Sequence, residues 1–136
     1  MNLMDIKILN TAMERALNRN MEPLNLTYAQ ASVIGYLAQN QKKDICQKDV
    51  EYTLGLTHPT ISSILDRLKR KNLITTAPFD ADHRYKKILL TQKSLALHQQ
   101  IEESIEHLTQ QIFNQVTPDD QKLFSRVISA MIKNLS

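Results

Sequence analysis

The sequence predicts a mainly α-helical domain of the α+β class, in which a helix-turn-helix leads into a two-stranded hairpin and long helices frame both ends. Three observations predict it. Only two glycines and four prolines are spread over 136 residues, which excludes collagen-like, solenoid and linker-rich classes and fits one domain with one core. Apolar residues return at three- and four-residue steps along most of the chain. Near the middle, β-favouring "LITT" and "ILL" flank the charged stretch "DADHRYKK".

Residues 2 to 20 predict a first helix with a narrow stripe of Leu3, Ile6, Leu9, Met13 and Leu17, stopped by "EPLN". In "LTYAQASVIGYLAQN", Thr27 as N-cap and Gln30 three residues on form a capping-box pattern, and Ala31, Ile34, Leu37 and Ala38 face inward. "ICQKDVEYTLGLTHPTISSILDRLKRKNLI" then places a short helix, a glycine and a second helix within thirty residues, which is helix-turn-helix spacing. Ile45, Val50 and Leu54 line the first helix, and Gly55 permits a left-handed backbone at its end. Thr57 caps the second helix, with Pro59 in its first turn, where a missing N–H costs little. Ile61, Ile64, Leu65 and Leu68 share the inner face, leaving His58, Thr60, Ser62, Ser63, Asp66 and Arg67 outward. Small polar groups in the first turns let such a helix lie close against another surface.

Asn72 tolerates the left-handed region at the helix end. Ile74 to Thr76 and Ile88 to Leu90 predict two strands joined by an exposed tip, Asp80 to Arg84, so the whole reads as a winged helix. Thr91 caps a long helix with a seam of Leu95, Leu97, Ile101, Ile105, Leu108 and Ile112. "VTPDD" restarts the chain with Thr117 as cap and Pro118 at N1, and Asp119 and Asp120 suit the helix dipole. The last helix carries Leu123, Phe124, Val127, Ile128, Met131, Ile132 and Leu135, more apolar surface than a peripheral helix needs; subunit association and core packing both account for it.

Composition narrows the function classes. One cysteine excludes an internal disulfide and a thiolate-cluster zinc site, and no apolar stretch reaches bilayer length, so a cytoplasmic location with no membrane contact is expected. The net charge is +3, but residues 57 to 93 carry eight Lys/Arg against three acids while the remainder has nine against eleven. Such a basic middle fits a polyanion-binding surface as well as a solvated face. No glycine-rich phosphate loop, nucleophile motif or paired acid/base constellation is present, so no enzyme activity and no cofactor are expected. Asp80, Asp82 and His83, with or without His58, are competent metal ligands but make a poor closed site, and no metal is expected. Cys46, opening a helix, is read as structural rather than redox-active, and His98 and His107 as surface residues.

Three blocks resemble the MarR family of bacterial transcriptional regulators: "LTYAQASVIGYL", "LTHPTISSILDRLKRKNLI" and "DHRYKKILLT". The last is the most specific, with an Asp-x-Arg tip and a Leu-Thr junction. The chain departs from the family's usual glycines at Asn72 and Ser94. The resemblance implies one domain over 1–136, with 26–91 as the DNA-binding lobe and 1–25 and 92–136 as dimerisation helices. It implies a homodimer on a pseudo-palindromic duplex, most simply a repressor. Thr57, His58, Pro59, Thr60, Ser62, Ser63 and Arg67 would meet the major groove, while Arg84, held by Asp82, enters the minor groove and Lys86 reaches phosphate. It further implies release by a small aromatic or phenolic effector, with Met13, Tyr28 and Tyr36 as candidate pocket residues. The alternative class is a winged-helix protein-interaction module without specific DNA binding.

Overall fold

A computed structural model describes residues 2–136. In chain order the elements are α1 (Leu3–Met21), a 3₁₀ turn (Glu22–Leu24), α2 (Tyr28–Gln39), α3 (Gln47–Leu54), α4 (His58–Arg70), β1 (Ile74–Pro78), β2 (Lys86–Leu90), α5 (Gln92–Ile112) and α6 (Pro118–Leu135). The caps read from the sequence are made. Thr27 accepts from the Gln30 N–H at 3.1 Å and Gln30 accepts from the Thr27 N–H at 3.3 Å, closing the capping box. Gly55 and Asn72 end their helices at φ 65 and 59, the left-handed region anticipated for both. Thr57 and Thr117 cap α4 and α6.

The strands pair antiparallel from Ile74 opposite Leu90 to Pro78 opposite Lys86. The hairpin is fastened on its other side too. The Ile88 N–H donates to the Ile45 carbonyl at 2.8 Å, and Lys87 approaches Asp44 at 3.8 Å, so the loop before α3 acts as a short third edge. Lys86 consequently points to solvent while Lys87 is half-buried, the alternation a strand requires.

The core gathers α2, α3, α4, the hairpin and the middle of α5 around Ile34, Val50, Ile61, Leu68, Leu73 and Ile101, all essentially inaccessible. The inner face of α4 is as the spacing predicts. Met21 and Val33, absent from the anticipated inner faces, are also fully buried. Leu95 departs from the anticipated α5 seam and is exposed, whereas Ser94 is completely buried. Its hydroxyl accepts from the Thr91 N–H and donates to the Thr91 carbonyl, both at 3.0 Å, so serine here completes a cap.

No residue of α6 is buried, and Leu123, Phe124, Val127, Ile128, Ile132 and Leu135 are all exposed. Leu3, Ile8 and Leu9 on α1 are exposed as well. Packing within the protomer therefore does not account for these stripes. No described helix is long and apolar enough to cross a membrane.

Thr91 is the testable joint of this arrangement, because its hydroxyl caps α5 and also donates to the Asn72 carbonyl at 2.8 Å. Thr91→Val keeps the shape and removes both bonds. Urea unfolding is expected to show a loss of about 1–2 kcal/mol.

Candidate nucleic-acid interface

Two exposed structures answer the sequence expectation, the first turns of α4 and the tip of the hairpin. At α4 the Thr57 hydroxyl accepts from the Thr60 N–H at 3.4 Å and donates to the Thr60 hydroxyl at 2.9 Å, which leaves the Thr60 O–H free to donate outward. Pro59, Ser63 and Arg67 are exposed, and Ser62 is half-buried.

His58 is not a free side chain. Its Nδ1 lies 2.7 Å from Glu51 Oε2 on α3, and 3.1 Å from Gln47 Nε2. A carboxylate only accepts, so Nδ1 carries a proton toward Glu51, and the two Gln47 amide hydrogens go to the Ser62 hydroxyl at 2.8 Å and the His58 carbonyl at 3.5 Å. The ring's other nitrogen, Nε2, has no partner among the described residues, and the side chain is 70% exposed. Neutral, it accepts; protonated, it donates. Those two states match different base edges in a major groove. Sequence reasoning missed Gln47 and Glu51, whose four-residue separation on α3 was the one available signal.

At the hairpin tip, Asp82 holds Arg84 by both main chain and side chain. The Arg84 N–H donates to Asp82 Oδ1 at 3.1 Å, and Nε and Nη2 reach the carboxylate at 3.1 and 2.8 Å. The arginine side chain is nonetheless 85% exposed, so it is oriented without being consumed. Behind it, the Phe79 N–H donates to the Tyr85 carbonyl at 2.9 Å and the rings stack obliquely at 6.4 Å, a brace the sequence reading did not identify. A groove of about 180 Å³ between α4 and the hairpin is shared by Ser62, Lys69 and Lys86, which brings the strand's basic edge beside the helix.

The Arg84 guanidinium, helped by the Arg84 N–H, holds the Asp82 carboxyl below the usual carboxylate range and raises Arg84 in return. Lys71, at the far end of α4, is pushed below the usual lysine range by burial and by Arg67 and Lys93. Asp82 is thus spoken for, and among the described residues no three His, Cys, Asp or Glu converge as a metal site. Tyr28 and Tyr36 share a cleft of about 600 Å³ between α2 and α5; Met13, half-buried on α1, is not on its wall. His98, expected on the surface, instead lines this cleft, with its side chain only 21% exposed.

Because Asp82 is depressed in the folded chain, the stabilisation from its pairing is complete above the ordinary carboxylate range and disappears as pH falls through the lowered value. Carbon-detected NMR is expected to find Asp82 more than half ionised at about pH 3.9, where an unperturbed aspartate is half protonated. In Arg84→Ala it should rise toward the ordinary range, with the main-chain N–H of residue 84 keeping part of the depression.

Residues 24–84 match the model of the MarR family. Several solved structures share the fold from end to end. Staphylococcus aureus MepR in complex with DNA is 24% identical, with 100% of this chain and 98% of that chain covered, at a TM-score of 0.92. The transcription regulator MarR from Oenococcus oeni PSU-1 is 23% identical, over 97% and 99%, at 0.79. The heme sensor protein PefR, in complex with heme and carbon monoxide, is 24% identical over 97% and 92%, at 0.70.

Proposed function

The winged-helix segment, residues 24–84, is of the MarR family, and from that premise we propose that this chain is a sequence-specific DNA-binding transcriptional regulator, a repressor acting as a homodimer on a pseudo-palindromic operator. The observation that carries the reading is Arg84. A guanidinium aimed by its own carboxylate partner yet 85% exposed has no structural task left in the protomer. It suits a narrow minor groove, where negative potential concentrates. In this reading Asp82 positions it, and Lys86 and Arg67 reach phosphate. Thr57 and Pro59 set the first turn of α4, while His58, Thr60, Ser62 and Ser63 meet base edges in the major groove. Likeness to a chain solved with DNA supports this assignment.

Residues 26–91 would form the DNA-binding lobe, and 1–25 with 92–136 the dimerisation region. The apolar face of α6, on which no residue is buried, supports that division. Fully burying a large apolar side chain is worth about 1.5–3 kcal/mol, and covering what remains exposed of this face on both subunits at once offsets much of the roughly 4–15 kcal/mol cost of association. Release by a small molecule completes the reading; its support is the α2–α5 cleft with Tyr28 and Tyr36, and the existence of a heme-binding chain of the same fold. Met13 would contribute only from its separate place on α1.

A second reading, a protein-interaction module, is favoured by one feature: Tyr52 on α3 is 90% exposed beside the exposed Leu56. Measuring affinity over a random duplex library at several salt concentrations separates the two. Specific binding to an inverted repeat is expected, with a slope of about −0.9 in log affinity against log salt per phosphate neutralised. Weak binding without sequence preference would sink the regulator reading.

Arg84→Ala is expected to weaken duplex binding about 10- to 100-fold, while dimerisation and thermal stability hold. Unfolding instead would make Arg84 structural. Ile128→Glu should yield monomers by sedimentation, with near-native circular dichroism, since Ile128 is already 36% exposed in the protomer.

A further inference from the structure

Given the regulatory reading above, on which this rests, we infer that Glu51 is a positioning residue that fixes the proton pattern of His58 and makes its base preference reverse with pH. Glu51 lies on α3 against the first turn of α4, and its side chain is only 20% exposed. Among the described residues that side chain has one hydrogen-bond partner, His58 Nδ1 at 2.7 Å. A carboxylate so covered is costly unless paired, yet the ring that pairs with it is 70% exposed, so the contact seals no core.

Its effect falls on the far side of the ring. A free neutral imidazole favours its proton on Nε2. The Glu51 carboxylate draws that proton to Nδ1 and leaves Nε2 a bare acceptor. Gln47 does not compete, because its amide hydrogens go to the Ser62 hydroxyl and the His58 carbonyl. Protonation can then occur only at Nε2, which turns the outward atom from acceptor to donor. Glu51 is the one charged group paired with this ring. On α3, Asp49 is turned to the Cys46 N–H at 2.9 Å, Tyr52 is 90% exposed, and Lys48 makes no ion pair among the described residues. On α4, Asp66 and Arg67 lie about two turns further along.

In the major groove cytosine offers only a donor and guanine only acceptors. Neutral His58 therefore suits cytosine and its cation suits guanine, so guanine gains as pH falls through the range in which imidazoles titrate, and cytosine gains as pH rises. Inverting one C·G pair exchanges the two.

The test is the duplex-library selection run at about pH 5.5 and about pH 8.5, either side of that range, on the full chain and on Glu51→Gln and His58→Gln. One position in each half-site is expected to move from cytosine to guanine on acidification. The ratio of the two affinities should change at least about fivefold, the worth of one hydrogen bond. Changes in phosphate attraction act on every sequence alike and cancel in that ratio. His58→Gln should remove the pH dependence, and Glu51→Gln should lose most of the cytosine preference at the higher pH. Long-range nitrogen–proton NMR on the free chain needs no duplex; it should find His58 in the Nδ1–H form at the higher pH, and shifted toward Nε2–H in Glu51→Gln. A Glu51 that only held α3 to α4 would move neither readout. Should Glu51→Gln not fold, the wild-type tautomer and His58→Gln carry the test. An Nε2–H ring in the wild type, a base ratio indifferent to pH, or a pH dependence that survives His58→Gln each overturns the positioning role, while specific binding leaves the regulatory reading standing. Absence of sequence preference at both pH values overturns the regulatory reading, and the base-reading role with it.

Discussion

The turn at Lys71, Asn72 and Leu73 is the constraint on which the rest of the molecule depends. Here α4 ends, β1 begins, and three other segments are tied in. The Lys71 ammonium donates to the Asn25 carbonyl at 2.6 Å and to Gln30 at 2.9 Å, joining the end of α4 to the start of α2. Lys93 on α5 donates to the Lys71 carbonyl at 3.1 Å, and Thr91 donates to that of Asn72. The Leu73 N–H returns to Leu68, and the Leu73 side chain is almost wholly buried. Helix-end carbonyls otherwise lack partners, so cations and hydroxyls arriving from elsewhere satisfy them and fix angles at once. Orientation of α4 and the hairpin relative to α5 follows from this one turn.

That placement explains how charge is distributed by task. Cations near the turn are drawn onto carbonyls, and the burial and mutual repulsion recorded at Lys71 are the consequence. At the opposite end of the lobe, Arg84 has a single partner and stays exposed. Lys87 is drawn to Asp44 while its neighbour Lys86 is left for solvent. The modest net charge of +3 therefore conceals a division between structural cations and free ones, and only the free ones are available to a polyanion. Across α2 the α5 cleft is lined with acids instead.

Apolar surface is partitioned in the same manner. The lobe has a closed core, whereas no residue of α6 is buried and α1 leaves much of its stripe exposed. Exposed apolar faces of this extent mark association surfaces. The start of α5 is tied to the end of α4 at residues 71–73, through Thr91 on the Asn72 carbonyl and Lys93 on the Lys71 carbonyl.

Local rules made much of this legible in the sequence. Threonine caps, the left-handed Gly55 and Asn72, the apolar spacing of α4 and the strand pair around a charged tip depend on residues within a few positions of one another. Even the Asp82 grip on Arg84 spans two residues. What tertiary structure alone decided involves residues brought together from distant segments. The crossing of α3 and α4 joins Glu51 to His58 and Gln47 to Ser62, turning an apparently free histidine into one with a fixed tautomer. Packing of α2 on α5 sets Glu102 and Glu106 opposite two tyrosines and so decides the sign of the cleft. Periodicity finds a helix's apolar face but cannot say what covers it; the fold covers that of α4 and leaves that of α6 bare, because burial is a property of neighbours and not of spacing.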